Sequence, residues 1–111
     1  MECIYVKPTK VSILAGKVSE SLLTRSTDSE ENSVTIPEMV ETVSTFARDV
    51  YGDGARVKFD RHASSGGTDS FVFTFFMGDV ELSEMTLKGS WNGFVGKAVI
   101  YEIDTVDRNG G

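Results

Sequence analysis

Residues 70–77 read Ser70-Phe71-Val72-Phe73-Thr74-Phe75-Phe76-Met77. Side chains of an extended chain alternate between faces, so Phe71, Phe73, Phe75 and Met77 share one face. Val72, Thr74 and Phe76 occupy the other. Large and β-branched side chains on both faces fit a strand in the middle of a sheet, covered on both sides.

The flanking segments supply its partners. Ala55, Val57 and Phe59 alternate with Arg56, Lys58 and Asp60, which predicts a half-buried strand. Ala63 to Thr68, with Ser64, Ser65, Gly66 and Gly67, reads as a flexible hairpin loop. Downstream, Gly78-Asp79 is a tight-turn signal of the Gly-X type. Val80, Leu82, Met85 and Leu87 follow with a slip of phase, which a β-bulge near Ser83-Glu84 absorbs. Gly89 to Gly93 read as another turn. Val95 to Val106 read as a last strand with Val99, Tyr101 and Ile103 facing inward. Strands joined by short turns pair antiparallel.

The segments before this meander carry a different period. Thr35-Ile36-Pro37-Glu38 matches the S/T-x-x-E capping box, and Val34 and Met39 take the positions of a hydrophobic staple. Ile36, Met39, Val40, Val43, Phe46, Ala47, Val50 and Tyr51 then form one helical stripe, which predicts a helix over 36–51. Gly52 is its expected left-handed stop. Residues 10–23 fit two patterns. Val11, Leu14, Ala15, Val18 and Leu22 make a helical face with Thr9 as N-cap, whereas Val11, Ile13 and Ala15 also alternate as a strand does; the helix is favoured. Glu2 to Lys7 read as a short strand stopped by Pro8. Residues 24–33 contain no apolar side chain and read as a solvated acidic loop at about 24–34.

The expected fold is therefore α+β. An antiparallel sheet of four to five strands, ending in a four-strand meander, carries one or two helices packed on one face. A chain of 111 residues forms one domain, 1–111. Hydrophobic residues at 40% and charged residues at 25% are ordinary globular usage, which excludes wholesale disorder.

Charge and residue inventory narrow the function. With 17 acidic and 11 basic side chains the net charge is −6, which argues against direct binding to nucleic acid or to acidic membrane surfaces. No apolar run approaches a membrane span, and the start lacks a signal-peptide pattern, so a cytoplasmic protein is expected. The lone Cys3 cannot form an internal disulfide and reads as a small core residue. One histidine and one cysteine supply no metal-ligand pair, and Asp28, Glu30 and Glu31 lack the spacing of a calcium loop. No cofactor motif is present. His62 lies between Asp60, Ser64, Ser65 and Asp69, but a catalytic set needs a rigid scaffold, which a glycine- and serine-rich loop does not give. A non-enzymatic role is expected.

Two stretches, Ser26 to Ala47 and Asp69 to Leu87, contain acids and no lysine or arginine. The first carries Asp28, Glu30, Glu31, Glu38 and Glu41. Farther on, Trp91 and Phe94 flank a turn, and large aromatics are frequent anchors of protein interfaces. These seven residues are the expected partner-binding set. The competing reading is a solvated acidic face, with Trp91 folded over the core edge. A basic protein surface is the expected partner, reached by complementary charge. Small acidic inhibitors of nucleic-acid-handling proteins have this character, among them toxin-immunity and phage anti-defence (anti-CRISPR-like) proteins. One alternative is a self-associating structural or assembly subunit, paired through an open sheet edge with Val72 and Phe76 covered by the partner. Another is a small-ligand domain or enzyme with a pocket lined by Phe71, Phe73, Phe75, Tyr51 and Trp91, for which an ordinary core is the simpler account.

Overall fold

The computed structural model describes residues 9–22 and 33–107. In chain order they form helices α1 (Lys10–Leu22) and α2 (Ile36–Tyr51), then strands β1 (Ala55–Ser65), β2 (Thr68–Met77), β3 (Val80–Asn92) and β4 (Lys97–Asp107). The strand expected at 2–7, Cys3, and the acidic stretch through Asn32 lie outside the described residues.

Local chemistry accounts for both helices. In α1, the Ser12 amide donates to Thr9 Oγ1 at 3.1 Å, so Thr9 caps the start. Val11, Leu14, Val18 and Leu22 are buried along one stripe while Ile13 remains 43% exposed, which resolves residues 10–22 as helix rather than strand. In α2 the capping box forms in both directions. The Glu38 amide donates to Thr35 Oγ1 at 3.2 Å and the Thr35 amide to Glu38 Oε1 at 2.8 Å. Gly52 ends the helix at φ 115° and ψ 167°. That is an extended conformation open only to glycine, in place of the left-handed helical one expected.

The four strands form one antiparallel sheet in the order β1-β2-β3-β4. Three irregularities set its faces. Asp60 is the extra residue between Phe59 and Arg61 on β1. Leu82 is extra on β3, just before the Ser83-Glu84 site expected for the bulge. Tyr101 is extra on β4, opposite the step from Lys88 to Gly89. This last bulge reverses the expected phase of the strand up to Tyr101, while Ile103 beyond it packs against the core as expected. Ala98 and Ile100 point inward at 1% exposure, and Tyr101 stands 52% exposed. Gly89 also lies inside β3 rather than in a turn. A Cβ built on it runs into the Val99 carbonyl, so β4 crosses too close for any side chain there.

Both helices lie on one face of the sheet, α2 nearest β1 and α1 nearest β4. Phe71, Phe73 and Phe75 are fully buried beneath them with Met85 and Leu87 from β3. Each buried ring contributes about 1.5–3 kcal/mol by leaving water. Emptying such a site costs about 3–5 kcal/mol. Phe71, Phe73 and Phe75, three of the rings weighed as a pocket lining, thus belong to the buried core cluster, with Tyr51 and Trp91 packed against it. Tyr51, the last residue of α2, tilts over Phe75 at 6.2 Å, and its hydroxyl shares a 2.8 Å hydrogen bond with fully buried Ser83. Burial raises the Tyr51 pKa above its ordinary value.

On the opposite face Val72 and Thr74 are also buried, at 4% and 7% exposure, as expected for a central strand. Lys88 bridges Asp104 at 2.6 Å and Glu102 at 3.9 Å on that face. No helix among the described residues is long and apolar enough to cross a membrane.

Two glycines test this account in opposite directions. Gly16 sits on α1 with nothing within 4 Å of an added Cβ, so Gly16→Ala is expected to stabilise by about 1 kcal/mol. Gly89→Ala forces β4 away and is expected to cost about 3 kcal/mol. Thermal melts of the two variants should shift up and down respectively, at about 4–8 °C per kcal/mol. An unchanged melt for Gly89→Ala contradicts the close approach.

Candidate functional site

One end of the sheet gathers most of the features singled out in the sequence. There β1 and β2 join through Gly66 and Gly67, at φ 58° and 84°, a two-residue turn of the kind Gly-Gly favours. The segment expected to be a flexible loop is thus strand up to Ser65 and again from Thr68, and it holds its side chains in register. The Asp60 bulge leaves Arg61 outward and places His62 on the helix-facing side, opposite Phe71.

His62 is packed and bonded. Its ring stacks on Phe71 at 4.4 Å and 17°, and meets the edge of Trp91 at 5.4 Å and 65°. Nε2 donates to Asp69 Oδ1 at 3.0 Å, because an ionised carboxylate only accepts. The other oxygen of Asp69 accepts from the Trp91 amide at 3.0 Å. That amide needs it. The β2–β3 ladder ends at the pair Asp69–Gly89, and Trp91 lies two residues beyond it. One carboxylate therefore ties β1, β2 and β3 together at their ends. Asp69 is only 9% exposed. The His62 bond holds its carboxyl below the ordinary range; burial opposes this, and the Trp91 amide and the Ser64 hydroxyl add to it. Among the described residues no three His, Cys, Asp or Glu side chains gather as a metal site.

The tip between β3 and β4 is a turn organised by Asn92. Asn92 Oδ1 accepts from the Phe94 amide at 3.0 Å and its carbonyl accepts from the Gly96 amide at 2.9 Å. Gly96 adopts φ 70°. The turn is thus Gly93 to Gly96, later than the Gly89–Gly93 expected. Trp91 and Phe94, read as a pair of anchors, part company here. Trp91 packs on the core beside Phe71, with ring centres 5.8 Å apart, while Phe94 is 102% exposed and Val95 61%.

The acidic residues divide likewise. Val34 pairs with Ala98 through two 2.8 Å backbone bonds, which brings the start of α2 to the same end of the sheet as the tip. Glu38 and Glu41 lie in its first turns, both exposed. Glu38 is engaged in the cap. Asp28, Glu30 and Glu31 lie outside the described residues. The second acidic stretch is divided too: Asp69 is buried at the tip end, and Asp79 sits at the opposite turn. A hollow of about 500 Å³ lies elsewhere, lined by Arg56, Lys58, Phe76 and Asp79 among others.

The link from Asp69 to His62 was hidden in the sequence by the reading of Gly66-Gly67 as slack. Read as a two-residue turn, the same glycines pair Ser64 with Asp69 and His62 with Phe71. The chain matches no protein-family model, no curated protein and no solved structure.

Asp69 gives the site a definite acid response. Its folded pKa lies below the ordinary 3.8, so its contribution is fully present above pH 3.8 and is lost as pH falls through the folded value. Asp69→Asn removes that dependence. Urea midpoints measured from neutral pH downward should show a gap between wild type and Asp69→Asn that is constant above about pH 5 and closes in acid. Asp69→Ala, which strands the Trp91 amide, is expected to cost about 1–3 kcal/mol. A gap independent of pH argues against the carboxylate bond.

Proposed function

We propose that this chain is a non-enzymatic protein-binding module that docks through the β3–β4 tip. The observation that carries the reading is Phe94, a fully exposed aromatic on a turn already held by two hydrogen bonds from Asn92. Exposing a phenylalanine to water is unfavourable unless a partner covers it, and a preformed turn lowers the ordering cost of binding. Trp91 supports the tip from below and is not itself the anchor.

The start of α2 shares this end of the molecule. Glu41 offers an exposed carboxylate there, and Glu38 adds negative charge while it caps the helix. An apolar anchor flanked by carboxylates suits a basic surface with an apolar notch. With a net charge of −6, the class of target that fits is a basic protein that handles nucleic acid, held by an inhibitor that puts carboxylates where phosphates belong. Asp28, Glu30 and Glu31 extend the same acidic run in sequence and belong to this reading. No cofactor is part of it.

Capture from host-cell extract with wild-type, Phe94→Ala and Glu41→Lys proteins tests it. Wild type should retain a basic protein, and raising the salt should release it. Phe94→Ala should weaken retention by about tenfold to thirtyfold with an unchanged melting temperature. Neutral or acidic partners held independently of salt, or full retention by Phe94→Ala, overturn the proposal.

A further inference from the structure

The two edges of the sheet carry opposite charge on the same face. On β1, Arg56 and Lys58 project from the face away from the helices, and among the described residues no ion pair reaches either. On β4, Glu102 and Asp104 project from that face and share one cation, Lys88, so the pair stays net negative. Each charged stretch is regular strand. The first lies before the Asp60 bulge, and the second follows the Tyr101 bulge.

We propose that the chain associates head to tail with a second copy of itself, β4 of one copy pairing antiparallel with β1 of the next. Within the sheet β1 and β4 run in opposite directions, so a copy displaced along the sheet continues the alternation with its helices on the same side. The register that sets Arg56 opposite Asp104 and Lys58 opposite Glu102 also sets Val57 opposite Ile103. Those two half-buried residues then join the cores of the two copies. The helix layer leaves room for this. Two helices about 10 Å apart cover roughly the width of four strands spaced about 4.8 Å.

Charge also selects the mode. Pairing β1 with β1, or β4 with β4, sets like charges across the junction, so two-fold dimers through either edge are disfavoured. Val34 holds the outer edge of β4 at Ala98, so the junction uses the part of that edge beyond Ile100; each copy in the head-to-tail mode still presents that stretch and the edge of β1, and the contact repeats. The matched stretch, 55–59 against 101–105, is short, so the association is reversible and dependent on concentration. The surface used is separate from the Phe94 tip, and neither proposal rests on the other.

Light scattering and sedimentation over a concentration series test it. At about 0.01 M salt, where charges act over ~30 Å, mass should rise with concentration; at about 1 M salt, where the reach is ~3 Å, the midpoint should move roughly tenfold higher. The double variant Arg56→Glu, Lys58→Glu, at two exposed positions, should move it by about a hundredfold at low salt without changing the melting temperature. Adding Glu102→Lys and Asp104→Lys to that variant should restore association, which a merely structural role does not produce. Hydrogen exchange on wild type provides a readout free of substitutions, with β1 and β4 edge amides gaining protection together as concentration rises. A strict monomer at every concentration, an oligomer indifferent to Arg56→Glu, Lys58→Glu, or edge amides protected in the monomer by the chain's own residues 2–7 each overturn the proposal.

Discussion

Phe71, Phe73 and Phe75 must be kept from water on one face of β2, and this requirement orders what surrounds them. Each needs a cross-strand neighbour on both sides, which β1 supplies with His62, Phe59 and Val57 and β3 supplies with Leu87, Met85 and Ser83. Each also needs a lid, which α1 and α2 supply with Leu14, Val18, Met39, Val43 and Ala47. The bulges follow from the same demand. Every extra residue, Asp60, Leu82 or Tyr101, restores an inward side chain to the plane of those rings where simple alternation has drifted out of phase. Polar groups brought along are satisfied in place, Ser83 by Tyr51 and Asp69 by His62 and Trp91.

What a reader can take from the sequence depends on how local the cause is. The capping box at Thr35 and Glu38 and the stripe of α2 were legible, because their partners lie three or four residues away. So was the Phe71-Phe73-Phe75 face, because alternation is a property of the strand alone. The first half of the final strand, with Val99 and Tyr101, was misphased while Ile103 was not, because the reason for the bulge between them lies on β3, where Gly89 lets the Val99 carbonyl approach. Gly66-Gly67 was taken as slack because glycine permits both disorder and a tight turn, and strand pairing on either side decides between them. For Trp91 and Phe94, three residues apart, the reading that folds Trp91 over the core edge was available and holds, but the full exposure of Phe94 was not legible. The direction each side chain takes depends on whether its residue is still in the ladder or already in the turn.

Net charge proves a poor measure of the carboxylates left for recognition. Glu38 closes a helix end, Asp69 holds three strands, and Lys88 partly neutralises Glu102 and Asp104. The Asp104 carboxylate in turn keeps the Lys88 ammonium above its ordinary pKa. On the sheet face away from the helices the exposed charge differs by edge, with Glu102 and Asp104 on β4 and Arg56 and Lys58 on β1. A molecule of this kind meets other surfaces through distinct regions of opposite sign rather than through a uniform negative field.

The triple attachment of Asp69 has a consequence for how the domain breathes. A strand end normally frays one residue at a time, each amide exchanging by its own small opening. Here the Trp91 amide is released only when the carboxylate lets go, and that carboxylate also holds His62 against Phe71. The β1–β2 hairpin and the last residues of β3 are thereby joined into one cooperative opening unit. The Asn92 turn that displays Phe94 grows directly from that unit, so the tip either stands on a closed platform or loses its footing all at once.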